Sequence, residues 1–270
     1  MKTNRILLYS IACLLLSCSH SASNAGSPPE IKQVDSDNEY VQLSQNFINK
    51  VKQKADRSQL IQKIARINPA DLAIALDTDK EKKAFFINLY NGFVQHILMQ
   101  NPEKFEDRDK FFKSEQINLA GEMLSLDDIE HGIIRGSKVK WSLGILQDPF
   151  ADDFEKDLRV STTDPRIHFA LNCGAKSCPY VAAYSAENLD QELDFIARQF
   201  LTRTSEYKPN EGKVYVTSLI SWFRGDFDGL DGALEMLKKY GVVPQDANPE
   251  LEFKDYDWTL ELGNYTELDV

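Results

Sequence analysis

The sequence predicts an α+β fold, a helix-rich single domain with a small antiparallel sheet. Three observations carry that expectation. Apolar residues recur at helical spacing over several long segments. Strand-like alternation is confined to short stretches such as Gly212–Thr217. The body that follows a leader-like N-terminus, about 230 residues, suffices for one large core.

The helices come first. In Glu39–Ile67, Val41, Phe47, Ile48, Val51, Leu60, Ile61 and Ile64 recur with Lys and Gln between them. Asn68-Pro69 breaks that pattern, and Ala70–Leu76 reads as a short helix. Asp79–Gln100 follows, ended by Asn101-Pro102. Its centre, "AFFINLYNGFVQHILMQ", is apolar on nearly every side, so the helix is expected to be buried. Asn88, Asn91 and Gln95 form one polar stripe on it. Buried amides need partners. They either bond neighbouring backbone and hold the core in register, or face a cleft and line it.

Phe105–Leu119 reads as irregular or extended. "MLSLDDIEHGIIRG" reads as a helix, with Ser125 as N-cap, Asp128 in a box-like arrangement and Gly136 as the stop. Leu126, Ile129 and Ile133 make its core face, and Asp127, His131 and Arg135 lie along another. Residues 137–160 read as loop. Asp164-Pro165 starts a short helix or, on the alternation of Ile167, Phe169 and Leu171, a strand. Ala186–Thr202 is a helix, Gly212–Thr217 a strand without an obvious partner, and Ala233–Tyr240 a helix closed by Gly241. The acidic tail from Glu250 is ambiguous between helix and strand.

The N-terminus predicts an address. Lys2 and Arg5 precede an apolar run, Ile6–Leu16, too short to span a bilayer and proportioned as a secretory signal. It ends in Leu-Leu-Ser-Cys, which is similar to a bacterial lipobox, with Cys18 as the lipidated residue. Residues 1–17 are then signal peptide, 18–38 a polar flexible tether, and 39–270 one globular domain. The membrane is the expected partner, through the lipid on Cys18, in a bacterial cell envelope. Ser19 after the cysteine, by resemblance to the sorting rule of some envelopes, favours the outer membrane. Removing residues 1–17 takes away Lys2 and Arg5 and no acid, moving the net charge from −11 to −13. Such a chain is poorly suited to nucleic acid.

The chemistry centres on "RIHFALNCGAKSCPY", which spaces His168, Cys173 and Cys178 five apart. Structural zinc sites draw cysteines two to four apart, so metal fits poorly, and no cofactor is expected. A Cys173–Cys178 disulfide is sterically allowed and persists in an oxidising compartment. A nucleophilic Cys173 is the third reading. It needs a nearby histidine, and the glycine after it would let backbone amides approach an oxyanion. His131 is the candidate base, on a capped helix beside carboxylates, with Glu130 to orient it or hold the helix. His168 lies near Cys173 in sequence, but five residues along a helix would point the two apart.

The segments "FFINLYNGFV", "SLDDIEHGIIRG", "DPRIHFALNCGAKSCP" and "LISWFRGDF" resemble, in order, the bacterial and plant family catalogued as domain of unknown function five-four-seven. The resemblance covers roughly Lys80–Phe227. Its fold is likened to papain-like and transglutaminase-like cysteine enzymes. Plant members keep the cysteine at Cys173 and carry serine at Cys178, which implies that Cys173 is the working sulfur. Phe86 departs from the tryptophan more usual there, a core change. The expected function is amide hydrolysis or acyl transfer on a peptide or amide substrate. Cys173, His131 and Glu130 would be catalytic, and Asn88, Asn91, Arg135 and His168 would line the cleft. The alternative is a non-catalytic envelope scaffold or binding lipoprotein with a Cys173–Cys178 disulfide.

Overall fold

The computed structural model describes residues 38–143 and 145–270. The expected signal peptide, Cys18 and the expected tether up to residue 37 lie outside the described residues. Asn38, the last residue of the expected tether, instead caps the first helix, accepting from the Tyr40 and Val41 amides.

Nine α-helices are described: α1 Glu39–Lys52, α2 Ser58–Ala65, α3 Pro69–Ala75, α4 Asp79–Gln100, α5 Arg108–Lys113, α6 Asp153–Leu158, α7 Leu189–Thr204, α8 Ser218–Trp222 and α9 Gly229–Lys239. None is long and apolar enough to cross a membrane. The single helix expected over 39–67 is two. The chain turns at Lys54, whose φ is +54°, and α2 restarts where the Asp56 carboxylate accepts from the Ser58 amide. α4 keeps its expected bounds because Thr78 and Glu81 form a full capping box.

α4 is the central element, buried almost throughout. It crosses α1 so closely that a Cβ on Gly92 would sit 2.5 Å from the Phe47 ring, so the close approach needs glycine there. The stretch expected to be irregular or extended, 105–119, is extended only at its end, over Ile117–Leu119; before that come a 3₁₀ turn, Pro102–Asp107, and α5. Phe105 and Phe111 supply its buried side, at a spacing too short to register as a helix period.

The strands form two sheets. β1 (Ile117–Leu119) and β2 (Glu122–Leu124) make an antiparallel hairpin. β3 (Glu206–Lys208), β4 (Lys213–Thr217) and β5 (Glu250–Lys254) make the second sheet, in that order. The partners missing from the sequence reading of β4 are therefore its neighbour β3, antiparallel, and the acidic tail, parallel. The β1–β2 hairpin is the small antiparallel sheet expected; the second sheet is mixed, because the last strand returns beside β4 after α9.

Two apolar clusters result. One gathers around α1, α4 and the first half of α7; the other joins the β3–β4–β5 sheet, α8, α9 and the second half of α7. Tyr256 packs against both. The C-terminal segment beyond β5 runs back over the first cluster. The amides of Lys176 and Ser177 donate to Thr259 and Asp257, Glu261 donates to Gly174, and Val181 donates to Asn264. These bonds fasten the loop that carries both cysteines.

Candidate active site

A cavity of about 260 Å³ opens where the two clusters meet. Two segments bring polar side chains to it, and a third backs them from within the core. The first is "SLDDIEHGIIRG". Ser125 and Asp128 bond reciprocally, the Ser125 amide to Asp128 Oδ2 at 2.8 Å and the Asp128 amide to Ser125 Oγ at 3.0 Å. The start is thus as expected, but the helix that follows, Asp128–Ile134, is a π-helix. Arg135 N donates to Glu130 O and Ser137 N to Gly132 O, both five residues back. Such wide turns are rare and recur at functional sites. Here the adjacent Glu130 and His131 both line the cavity, together with Asp127 one turn earlier.

The second segment is a 3₁₀ turn, Pro165–Phe169, capped by Asp164. It ends one residue after His168, so the helix that would have separated His168 from Cys173 does not exist. Both line the cavity. Asn172 is fixed between them by bonds to the Asn91 and Gln95 side chains. Gly174 then turns with φ +88°, where a Cβ would meet Leu98 at 2.8 Å.

The third segment, the 3₁₀ turn Arg224–Phe227, supplies Asp226, which the sequence reading did not single out although it lies in the quoted "LISWFRGDF". Asp226 Oδ2 accepts from Arg135 Nε at 2.7 Å and bonds His168 Nε2 at 2.8 Å. All three side chains are essentially sealed from solvent. Burial alone would raise the Asp226 carboxyl, but hydrogen bonds from His168 and Arg135 outweigh it and hold it below the usual range. Burial lowers His168, against the pull of Asp226, so its ring is neutral at pH 7. Its Nε2 proton goes to Asp226, leaving Nδ1 as the basic nitrogen.

His131 has the opposite tautomer. Its Nδ1 lies 2.7 Å from Arg135 Nη1. A guanidinium can only donate, so Nδ1 accepts and the proton sits on Nε2. Burial and the Arg135 charge lower its pKa to about 3. The expected base is therefore a neutral donor. Glu130 does not orient it either: its nearest oxygen is 3.9 Å from Nδ1, while Tyr90 donates to its other oxygen at 3.0 Å. Asp127, 3.7 Å from Nε2, is held by Lys140 through both oxygens.

The remaining expected residues separate. Arg135 is fully buried and serves Asp226 and His131. Asn88 and Asn91 do not line the cavity. Asn88 bonds Ser44 Oγ and both backbone groups of Tyr184. Asn91 bonds Ala170 O and the Asn172 amide. They act in the core, as the first of the two readings of that stripe held.

Cys173 and Cys178 form a disulfide, with Cα atoms 6.1 Å apart. Tyr256 Oη donates to Cys178 Sγ at 3.2 Å and lies 3.5 Å from Cys173 Sγ. The backbone amides expected to serve an oxyanion are taken: Gly174 N donates to Asn172 Oδ1 and Cys173 N to Cys178 Sγ. Aromatic rings close the rest of the cavity, with Trp222, Tyr256 and Trp258 in mutual contact. Among the described residues no group of three or more His, Cys, Asp or Glu could hold a metal.

Residues 75–201 match the family described as "Protein of unknown function, DUF547". That span contains Glu130, His131, Arg135, His168 and both body cysteines; Asp226 and Tyr256 lie beyond it. No curated protein and no solved structure matches the chain.

Proposed function

We propose that this chain, whose DUF547 segment carries the cavity's histidines and cysteines, is a cysteine-dependent hydrolase or acyltransferase of the papain-like or transglutaminase-like kind. Cys173 is its nucleophile once the bond to Cys178 is reduced. A single observation carries the reading: His168 lines the same cavity as Cys173 and is held from behind by the buried Asp226. A carboxylate on one ring nitrogen orients a histidine and fixes its tautomer, so that the other nitrogen can take a proton.

The steps balance as follows. A dithiol reductant opens Cys173–Cys178, giving two protein thiols and an oxidised reductant. His168 Nδ1 takes the Cys173 proton, and the thiolate attacks an amide or ester carbonyl. The carbonyl oxygen gains negative charge, and the Nε2–H of His131 is the donor aimed at it, a task suited to a neutral imidazole of low pKa. The carbon–nitrogen or carbon–oxygen bond breaks, the leaving group departs with the proton from His168, and a thioester remains. Water, or an amine, then gives up a proton to His168 and cleaves the thioester. The enzyme works at the cell envelope, held by a lipid on Cys18. Cys18→Ser should release it from the membrane fraction or leave the precursor unprocessed; an unlipidated mature N-terminus elsewhere rules the anchor out.

The test is trapping. Protein reduced with dithiothreitol and treated with a 4-nitrophenyl ester should gain one acyl group, mapped to Cys173 by peptide mass. The adduct should be missing in Cys173→Ser and form roughly 10²-fold more slowly in His168→Ala. Folded, reduced protein that acylates elsewhere or nowhere would overturn the reading. The disulfide itself favours the second reading, a non-catalytic binding protein, which predicts that result.

A further inference from the structure

We infer that the cavity is selective for a primary ammonium carried on an aromatic or branched apolar body, with Glu130 as the residue that recognises the charge. The inference rests on the reading above that this cavity is where the substrate binds, and it names the class of group that enters.

Three observations carry it. The first is the balance of charge around the wall. Asp127 is neutralised by Lys140, and Asp226 by Arg135. Glu130 alone lacks a cation: among the described residues the one basic side-chain nitrogen within 4 Å of its carboxylate is His131 Nδ1 at 3.9 Å, on a ring that is neutral at pH 7. Among the described residues its carboxylate accepts one hydrogen bond, from the uncharged Tyr90 hydroxyl. A carboxylate accepts through several lone pairs, so one hydroxyl leaves most of its capacity unused.

The second observation is the rest of the lining. Trp222, Tyr256, Trp258 and Phe223 present aromatic surface to the same space. Aromatic faces attract cations as well as apolar groups, and a desolvated cation gains most from them. An anionic group would meet Glu130 with no free cation to answer it.

The third is size. The cavity, about 260 Å³ and open to solvent on one side, has room within its walls for one side-chain-sized group. A short arylalkylamine, or the N-terminal residue of a peptide, has that size and charge.

Calorimetry on the full chain as isolated, with its disulfide intact, separates this from the thiol chemistry. Three probes of one shape are titrated: 2-phenylethylamine, 2-phenylethanol and phenylacetate. The amine should bind about tenfold or more tighter than the alcohol, and phenylacetate weakest, as a charge-assisted bond would give. Glu130→Gln should bring amine and alcohol within about threefold of each other. Tyr90→Phe keeps the carboxylate and removes its hydroxyl partner, so the preference should persist or grow; this variant carries the test if Glu130→Gln fails to fold. Equal binding of amine and alcohol, failure of all three to bind at millimolar concentration, or loss of the preference in Tyr90→Phe would each overturn the inference. An unchanged preference in folded Glu130→Gln would do the same. Acylation of Cys173 without amine preference would leave an enzyme for another substrate. Amine preference without acylation would leave a binding protein.

Discussion

Two buried polar groups in this protein look alike in the sequence and differ in the structure. Asn88, Asn91 and Gln95 run along α4, and each amide uses both its oxygen and its nitrogen. Asn88 and Asn91 tie to the backbone of 184 and 170–172, and Gln95 to Asn172 and Gly263. The cluster of His131, Arg135, His168 and Asp226 is as deeply buried but not complete. Arg135 Nη2 and Asp226 Oδ1 have no partner among the described residues. A fully satisfied network rigidifies a core, whereas an incomplete one is costly and persists where something else requires it. The difference marks the first group as structural and the second as the place to look for chemistry.

That comparison can be broken most forcefully at Arg135. Arg135→Met leaves the Asp226 charge buried and unpaired, and should cost about 3–5 kcal/mol in urea unfolding. Arg135→Met combined with Asp226→Leu should recover most of that, since apolar replacement of a buried pair is often neutral. The double variant should nonetheless lose the Cys173 reactivity that His168 supports. A double variant as unstable as the single one would mean that the cluster is itself a structural keystone.

Asn91→Leu is the matching test on α4. It strands Ala170 O and the Asn172 amide, at about 1–3 kcal/mol for each group left unpaired. The urea midpoint should fall with an unchanged slope. Reactivity at Cys173 should alter only as far as folding does. An unchanged midpoint would show that these amides are dispensable.

Cys178→Ser should cost less, about 2 kcal/mol or below, because the bridge closes only a short loop. That loop is also held by the bonds from Lys176, Ser177 and Gly174 to the C-terminal segment. A loss of folding on reduction would show the disulfide to be the main support of the loop.

The last effect is a pH dependence. The folded pKa of His131 is lowered from 6.5 to about 3. Below 6.5 the unfolded chain takes up a proton that the folded one refuses. This contribution is therefore full above pH 6.5 and is lost as pH falls toward 3. His96, lowered by burial to about 4, acts in the same direction. Glu192, raised by burial to about 7, acts oppositely: its contribution is present below pH 4.5 and lost as pH rises through 7. Subtracting His131→Gln from wild type isolates the first. The variant should show a flatter decline between pH 6.5 and 4, and identical curves would mean that His131 is protonated when folded.

Most of the helical architecture could be read from periodicity and caps. α4 kept its bounds because its capping box and its Asn-Pro stop are local signals. α5 and the 3₁₀ turn before it are too short for a period to appear, and β5 depends on a partner more than thirty residues away. At the site, the residue types were legible and the roles were not. His131 changes role because Arg135, four residues on, bonds its Nδ1, and a one-dimensional reading does not reveal which nitrogen is engaged. Asp226 was passed over because nothing local distinguishes it from other acids; it meets His168 across 58 residues. The π-helix was not legible, because "SLDDIEHGIIRG" has the caps of an ordinary helix.

The claim that His168, oriented by Asp226, activates Cys173 is tested most directly by the pH profile of alkylation. Reduced Cys178→Ser protein, with a single body thiol, is reacted with iodoacetamide across the pH range. If His168 is the base, the rate should reach half its maximum well below the ordinary thiol value of about 8.5. His168→Ala should move that midpoint back toward 8.5, while His131→Ala leaves it in place. A midpoint near 8.5 in folded wild-type background, or one restored by His131→Ala and not by His168→Ala, would contradict it.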